Sequence, residues 1–362
     1  MRILFLTEVC SRGGVEIVLR NRLEVLRKNF PDIHADVVFL RDEGGKDMFI
    51  GCGENIFIIN DLLDIKKFIK KRNYDFIFNI DNPSVYKLIR DIDQKVILEI
   101  HNPYENYLSY MKDCYLKFIN KNKKNTVAIT VPSKYFEKLV LKYFGDSLPV
   151  YLFNNFIDLS FFVDNNNNQL LKIGPNQKKM IGWAGRLDYL KNWKEFLKIA
   201  SVLIKERDDI EFLIVGGYGA PESEKSEFFN HLRKYHLLPH IKWLPSILHM
   251  PLFYKYLVES KGCFVSTSNR ESFGMTILES MIYKCPVVGP DIEAFQELFD
   301  NGNRGNLYKK GDIDSGVRQI NAILDDFPLR KRLVNDAYRA ALEVYNPEKI
   351  MSDWVSFLHK NS

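Results

Sequence analysis

The sequence predicts an α/β protein made of two tandem, doubly wound parallel-sheet domains with a cleft between them. Three observations predict it. Short apolar runs alternate with amphipathic segments almost throughout, the pattern of strand–helix–strand units whose strands run parallel. That alternation breaks once, over Asp164–Lys179, where Asn165–Asn168 and Gly174-Pro175 have linker composition, and then restarts. Finally, 362 residues are more than one hydrophobic core usually serves.

The elements follow in order. Arg2–Thr7 is an apolar run read as the first strand. Gly14–Lys28 is a helix, because Val15, Val18, Leu19, Leu23 and Leu26 fall on one face. Strands at Asn55–Ile59, Asp75–Ile80, Lys95–Ile100, Thr126–Val131 and Val150–Phe153 then alternate with helices. The helices are Leu62–Lys71, Ser84–Ile92, Asn106–Asn120 and Lys134–Phe144, the last capped by Ser133. After the break come strands at Lys179–Ala184, Glu211–Val215, Ile241–Leu244, Gly262–Ser266 and Pro286–Val288. Helices at Trp193–Lys205, Lys225–Tyr235, Leu252–Glu259, Met275–Tyr283, Ile313–Leu324 and Arg330–Val344 intervene. Asn346-Pro347 ends the last of these, and Ile350–His359 is amphipathic around Trp354 and Phe357. The expected boundaries are a Rossmann-like domain over 1–160, a linker over 161–178 and a second Rossmann-like domain over 179–346. The final helix, 347–362, crosses back to the first domain. The likeness of the halves is architectural, since no sequence repeat is visible.

Bulk properties exclude several classes. Apolar content of 46% is ordinary for a globular chain. No run of about eighteen apolar residues offers a transmembrane helix. Met1–Glu8 is too short and too soon acidic for a signal peptide. The five cysteines are scattered, odd in number and without a CxxC pair, which points to reduced thiols in the cytoplasm and no zinc site. The net charge of +5 is small and no nucleic-acid-binding motif is present, so nucleic acid is not an expected partner. Residues 101–145 are locally basic, with eight lysines against three acids. Lys112, Lys117, Lys121, Lys123 and Lys124 interleave there with Tyr107, Tyr110, Tyr115 and Phe118. That stretch is either a peripheral contact with the inner face of a membrane or a solvated helix face covering a core.

Candidate chemistry gathers in a few places. Glu271 and Glu279 bracket the run Ser272-Phe-Gly-Met-Thr-Ile-Leu278. Glu271 stands in a polar loop before the Phe273-Gly274 turn, and Glu279 on the wall of the helix that follows. Free N–H groups at a helix mouth suit an anion, and flanking acids suit hydroxyls on either side of it. The plainer reading is an acid that complements the helix dipole. Gly13-Gly14 opens the first helix after the first strand, either for close approach of an anion or as a tight turn; it is not GxGxxG, which argues against a nicotinamide cofactor. In Gly185-Arg186-Leu-Asp-Tyr-Leu-Lys191, two cations after a strand either clamp a diphosphate, Arg as a fork and Lys as a point charge, or sit on the surface beside a turn. His101 ends a strand, where it either donates to a ligand hydroxyl or is structural. Asp91-Ile-Asp93 and Asp312-Ile-Asp314 lie at helix ends, Asp312 as an N-cap, so no metal site is assigned.

In this order the sites resemble the family-4 retaining glycosyltransferases of the GT-B fold, over nearly the whole chain. The resemblance is carried by Gly13-Gly14-Val-Glu16, His101, Ser133, Asn155-Phe-Ile-Asp158 and Gly185-Arg186…Lys191. Its most specific part is Ser268-Asn-Arg-Glu271-Ser-Phe-Gly274…Glu279, an E-x7-E element with Phe-Gly inside, followed by Pro286-Val-Val. It implies that the second domain binds a nucleotide sugar and the first the acceptor. Arg186, Lys191, Glu271 and His101 are then the catalytic set. Arg186 and Lys191 would bind the donor diphosphate, Glu271 the donor sugar and Glu279 the ribose. Ser272, Phe273 and Gly274 would lie near the sugar with their amides, Gly13, Gly14 and Gly185 around the phosphates, and His101 at the transferred sugar. Three positions depart from the family pattern: Asn192 and Phe156 replace usual glycines, and Pro245 stands where a glycine often lines the nucleobase loop.

The resemblance further implies retention of anomeric configuration with no metal and no cofactor, since Arg186 and Lys191 supply the charge a metal otherwise would. UDP-sugars rank first as donor and GDP-mannose second, from family frequency alone. The acceptor is a glycan, a lipid-linked glycan or a protein, chosen by loops around Glu8–Arg12, Arg41–Gly53 and Pro103–Tyr110, and the setting is cell-surface polysaccharide or glycoconjugate synthesis. Rival readings are a non-catalytic partner subunit of the same fold and a sugar-nucleotide epimerase. The intact charged positions speak against the first, and the E-x7-E and Gly-Gly elements against the second.

Overall fold

The computed structural model describes residues 1–52, 55–118, 125–158, 178–247 and 250–362. Its contacts divide the chain into two compact units, Met1–Asp158 with Tyr345–Ser362, and Leu159–Val344. The expected linker lies outside the described residues but for Lys178.

The first unit runs β1 (Arg2–Cys10), α1 (Gly14–Asn29), β2 (His34–Asp42), β3 (Ile56–Ile58), α2 (Leu62–Arg72), β4 (Phe76–Ile80), α3 (Tyr86–Arg90), β5 (Lys95–Glu99), α4 (Glu105–Phe118), β6 (Thr126–Val131), α5 (Lys134–Phe144) and β7 (Val150–Leu152). Among the described residues its strands form one seven-stranded parallel sheet, ordered β3-β2-β1-β4-β5-β6-β7. Both faces of that sheet are covered, as the alternation of β1 requires. Leu4 and Leu6 enter one core cluster and Ile3 and Phe5 the other.

The second unit runs β8 (Lys179–Ala184), α6 (Trp193–Glu206), β9 (Ile210–Val215), α7 (Glu222–Lys234), β10 (Ile241–Leu244), α8 (Met250–Glu259), β11 (Cys263–Val265), α9 (Met275–Ile282), β12 (Val287–Pro290), α10 (Glu293–Leu298), β13 (Asn306–Tyr308), α11 (Ile313–Asp325) and α12 (Phe327–Glu343). Its six-stranded parallel sheet is ordered β10-β9-β8-β11-β12-β13. Helix α13 (Pro347–Lys360) then belongs to the first unit. Asn346 caps it by accepting from Lys349 N at 2.9 Å, and Pro347 fits the first turn. Trp354 lies on Phe78 and Phe5, ring centroids 5.1 and 6.3 Å away, and Phe357 packs against Tyr151 and Phe153.

Four elements differ from expectation. Strand β2 was not anticipated. Only Val37, Val38 and Phe39 are fully buried apolar residues in it, and Asp36 interrupts the run. Asp36 is kept inside by Arg72 Nη1 at 2.7 Å and by the Tyr74 hydroxyl, contacts supplied from far along the chain. Strand β13 and helix α10, with three and six residues, are too short to carry a periodic signal. The single helix expected over Ser84–Ile92 is a 3-10 turn, Pro83–Val85, leading into α3.

The basic stretch is also partitioned by the fold. Tyr107 and Tyr115 pack into the first unit's core with Leu108 and Met111, while Tyr110 and Leu116 are exposed. The i, i+4 spacing of 107, 111 and 115 turns those side chains inward. Lys121, Lys123 and Lys124 lie outside the described residues. Among the described residues no helix is long and apolar enough to cross a membrane. All five cysteines are free and buried.

Candidate active site

In the second unit the strand order reverses between β8 and β11. Loops leaving the carboxyl ends of such neighbours run apart and leave a crevice for ligands. The loop after β8 is Gly185–Asn192 and the loop after β11 is Ser266–Gly274, so the reversal brings together the two stretches singled out above.

Each loop is held by specific bonds. Gly216, at φ +132°, lets the turn after β9 reach the Gly185 carbonyl, which a Cβ at Gly216 would meet at 1.8 Å. Asp188 shapes the cationic turn: Oδ2 accepts from Arg186 Nε at 2.7 Å and Oδ1 from the Lys191 amide at 2.9 Å. The two loops are then fastened together. Asn269 N donates to Leu190 O at 2.7 Å, and Thr267 Oγ1 lies 3.0 Å from the carbonyls of both Lys191 and Asn192.

The departure at Asn192 has a conformational reason. This residue is left-handed, φ +49° and ψ +48°, which is why glycine suits the position and why asparagine is the substitute with least strain. Its Nδ2 also donates to Glu195 Oε2 at 2.7 Å, while Tyr308 donates to Oε1 at 2.8 Å. Asn192→Ala is expected to lose about 1–2 kcal/mol of stability, read from chemical denaturation. A midpoint equal to wild type would show that the backbone relaxes.

Lys191 Nζ donates to Glu271 Oε1 at 2.6 Å, and Ser268 Oγ donates to the same oxygen at 2.7 Å. The Lys191 and Glu271 side chains are only 20% and 14% exposed, so water screens the pair less than a surface one. The Arg186 side chain is 63% exposed, with its guanidinium at the surface. Gly274, at φ +112°, precedes α9, and an added Cβ would meet Phe295 at 2.9 Å. Phe273 is buried and Ser272 half-buried beside it. Glu279, in the second turn of α9, is 2% exposed and accepts from Tyr254 of α8 at 2.8 Å. Burial pushes its carboxyl up to about 7, against the pull of the Tyr254 hydroxyl and the Lys191 charge. Gly185, Arg186, Lys191, Glu271, Ser272, Phe273, Gly274 and Glu279 thus lie in the loops and helix at one end of the sheet, with Lys191 paired to Glu271 and its charge acting on Glu279.

The first unit has its own edge residues. Gly13 caps α1 and Gly14 opens it. Glu16 reaches back into this turn, accepting from Ser11 N at 2.7 Å and Ser11 Oγ at 2.8 Å, and a Cβ on Gly13 would crowd it at 2.9 Å. Phe156, the second departure, is buried in the core cluster beneath β1, and its carbonyl accepts from Asn21 Nδ2 at 3.1 Å. His101 lies two residues past β5. Its Nε2 is 2.7 Å from Glu99 Oε1, and Glu99 also receives Arg22 in a bidentate pair at 2.8 and 3.1 Å. Burial would raise the Glu99 carboxyl, but Arg22 and His101 hold it at about 2. The backbone N–H of His101 donates to the Asp81 carboxylate, at 3.1 Å to each oxygen. Asp81, at φ +43°, is pushed up to about 6 by burial, opposed by His101.

Four of these residues escaped the sequence reading. Glu99 had a signal: it is a charge inside an apolar strand, two before His101 and therefore on its face. Arg22 had one too, lying within the apolar stripe of α1 at i+3 from Leu19. Asp188 sits in the motif itself. Tyr254 had none, because 25 residues separate it from Glu279. Among the described residues no group of three or more His, Cys, Asp or Glu side chains is placed to hold a metal.

Residues 167–340 match the family model described as glycosyl transferases group 1. Lipopolysaccharide core biosynthesis mannosyltransferase LpsB of Rhizobium meliloti (strain 1021) is 29% identical over 154 residues, 42% of this chain and 43% of that protein. Sucrose synthase 1 of Oryza sativa subsp. japonica is 27% identical over 153 residues, 40% of this chain. The matched stretch spans 19% of that sucrose synthase, so these curated relatives are shared over less than half their length. Solved structures match end to end. HepE of Anabaena in complex with UDP-glucose superposes with a TM-score of 0.84 at 16% identity, covering 99% of this chain and 100% of that one. Sucrose-phosphate synthase of Thermosynechococcus elongatus gives 0.78 at 16% identity, with both chains covered completely. The fold is therefore the one expected: two parallel-sheet α/β domains of the GT-B kind.

Proposed function

We propose that this protein is a retaining, metal-independent glycosyltransferase that moves a sugar from a nucleoside-diphosphate sugar, by preference a UDP-sugar, to a glycan, lipid-linked or protein acceptor. The observation that carries the reading is the meeting of Arg186, Lys191, Glu271 and Glu279 at the strand-order reversal, within the stretch that matches the group 1 family model. UDP as the nucleotide is supported by the HepE complex with UDP-glucose, and a glycoconjugate acceptor by LpsB. Residues 101–118 and 125–145 would give the contact with the inner membrane face if the acceptor is lipid-linked.

The chemistry follows from where charge develops. As the glycosidic bond to the nucleotide lengthens, the sugar gains oxocarbenium character and the diphosphate gains negative charge. Lys191 and Arg186 are preorganised to meet that charge, together with the amides at the mouth of α9. Glu271, fixed by Lys191 and Ser268, accepts from sugar hydroxyls, and Glu279 accepts from the ribose. In the first unit Glu99 occupies Nε2 of His101, so Nδ1 is the nitrogen His101 has to offer.

Calorimetry with UDP, GDP and ADP tests the reading. One of them is expected to bind, and Glu279→Ala to bind it about 10-fold less tightly or worse through loss of the ribose contact. Absence of binding by all three would sink the proposal.

A further inference from the structure

Glu279 and Tyr254 share one hydroxyl hydrogen between too many acceptors. The Tyr254 oxygen lies 2.8 Å from Glu279 Oε2 and 3.1 Å from the carbonyl oxygen of Thr276. A phenol carries one hydrogen. If Glu279 is ionised, one of the two oxygen–oxygen contacts contains no proton. If Glu279 is protonated, both are hydrogen bonds: the acid donates to Tyr254, and Tyr254 donates to Thr276. Burial argues the same way, since Tyr254 and Glu279 are both inside and a charge there forgoes hydration.

The groups facing this pair come from every adjoining segment. The charge of Lys191 acts on Glu279 from the loop after β8, while its ammonium is paired with Glu271. Tyr283 follows α9 and Cys285 lies just beyond, both held protonated far above neutral pH by burial, as Tyr254 is. Among these neighbours, Glu279 is the group pushed to about 7.

We propose that burial holds Glu279 as a neutral carboxylic acid and that Tyr254 is a positioning residue that fixes it through the chain of contacts to Thr276, leaving Oε1 to accept a ribose hydroxyl of the nucleoside-diphosphate sugar. The inference rests on the donor-site reading above and adds the state of the proton. A neutral acid offers the ribose an acceptor without setting a negative charge beside the diphosphate that Lys191 must hold.

The test is calorimetry of the full chain with UDP-glucose from pH 5.5 to 8.5, with GDP-mannose in parallel. Neither donor's diphosphate titrates in that range. Wild type is expected to bind about 30-fold less tightly at pH 8.5 than at pH 5.5. Glu279→Gln should give a flat profile. Tyr254→Phe, checked for folding by circular dichroism, should weaken binding about 10-fold at pH 5.5. Wild-type affinity that does not change with pH, a Glu279→Gln profile that still tracks wild type, or Tyr254→Phe matching wild type throughout would each overturn the proton assignment while leaving nucleotide binding standing. No binding of either donor at any pH would overturn both readings together.

Discussion

Lys191→Ala is expected to lower turnover about 10²–10³-fold with a smaller change in nucleotide affinity. The ammonium contacts Glu271 at 2.6 Å, and its charge acts on Glu279. A cation so placed is held before any ligand arrives, so no reorganisation is needed when the diphosphate takes up charge. Interactions that strengthen as charge develops appear in kcat, whereas those equal in ground and transition states appear in KM. Removing Lys191 also leaves Glu271 with Ser268 alone and withdraws the positive charge that restrains the Glu279 carboxyl. Lys191→Arg is not expected to rescue. The lysine stem packs against Gly185, where an added Cβ would already lie 2.9 Å from Cγ, and a forked guanidinium needs a different approach. Arg186→Ala should also act on turnover, since its charge answers the same leaving group. Steady-state rates with whichever of UDP-glucose and GDP-mannose the protein binds decide both. A change confined to KM, or turnover within about threefold of wild type, contradicts the leaving-group role.

The fold was legible because its signal is periodic. Parallel strands buried on both faces give short apolar runs, and the helices between them give amphipathic segments, so strands β1, β4, β5, β6, β8 and β9 stand where the pattern places them. What escaped had no local signal. Strand β2 depends on Arg72 and Tyr74 to hold Asp36 inside, and neither is near it in sequence. The candidate site divides along the same line. Arg186, Lys191, Glu271 and Glu279 were readable because they sit in two short motifs. Their arrangement was not, since it depends on β8 and β11 being neighbours although about eighty residues apart in the chain. Tyr254 is the clearest case, because nothing around it in the sequence announces a hydrogen bond to Glu279.

Arg22→Ala is expected to destabilise the protein by about 3–5 kcal/mol at neutral pH, the cost of a buried carboxylate that has lost its main counter-charge. Glu99 and Arg22 are almost fully enclosed, and their bidentate pair joins α1 to β5. The guanidinium also lies over Trp354 of α13 and Phe5 of β1, at 5.2 and 5.4 Å from the ring centroids. The pH dependence has a definite sign. The Glu99 carboxyl is depressed from 4.5 to about 2 in the folded chain, so the unfolded chain binds its proton first as pH falls. The stabilisation, about 3 kcal/mol, is complete above roughly pH 5 and is lost as pH falls toward 2. In Arg22→Ala the depression shrinks to what His101 alone supplies against burial, and that acid-side loss shrinks with it. Packing and charge are separated by the double variant Arg22→Met with Glu99→Leu. It removes both ions while filling the space, and should recover most of the stability. Denaturant titrations at pH 7 and pH 4 supply the comparison. If Arg22→Ala matched wild type at pH 7, the pair would contribute nothing. If the double variant fell as far as the single one, the loss would come from the aromatic contacts and not from the stranded charge.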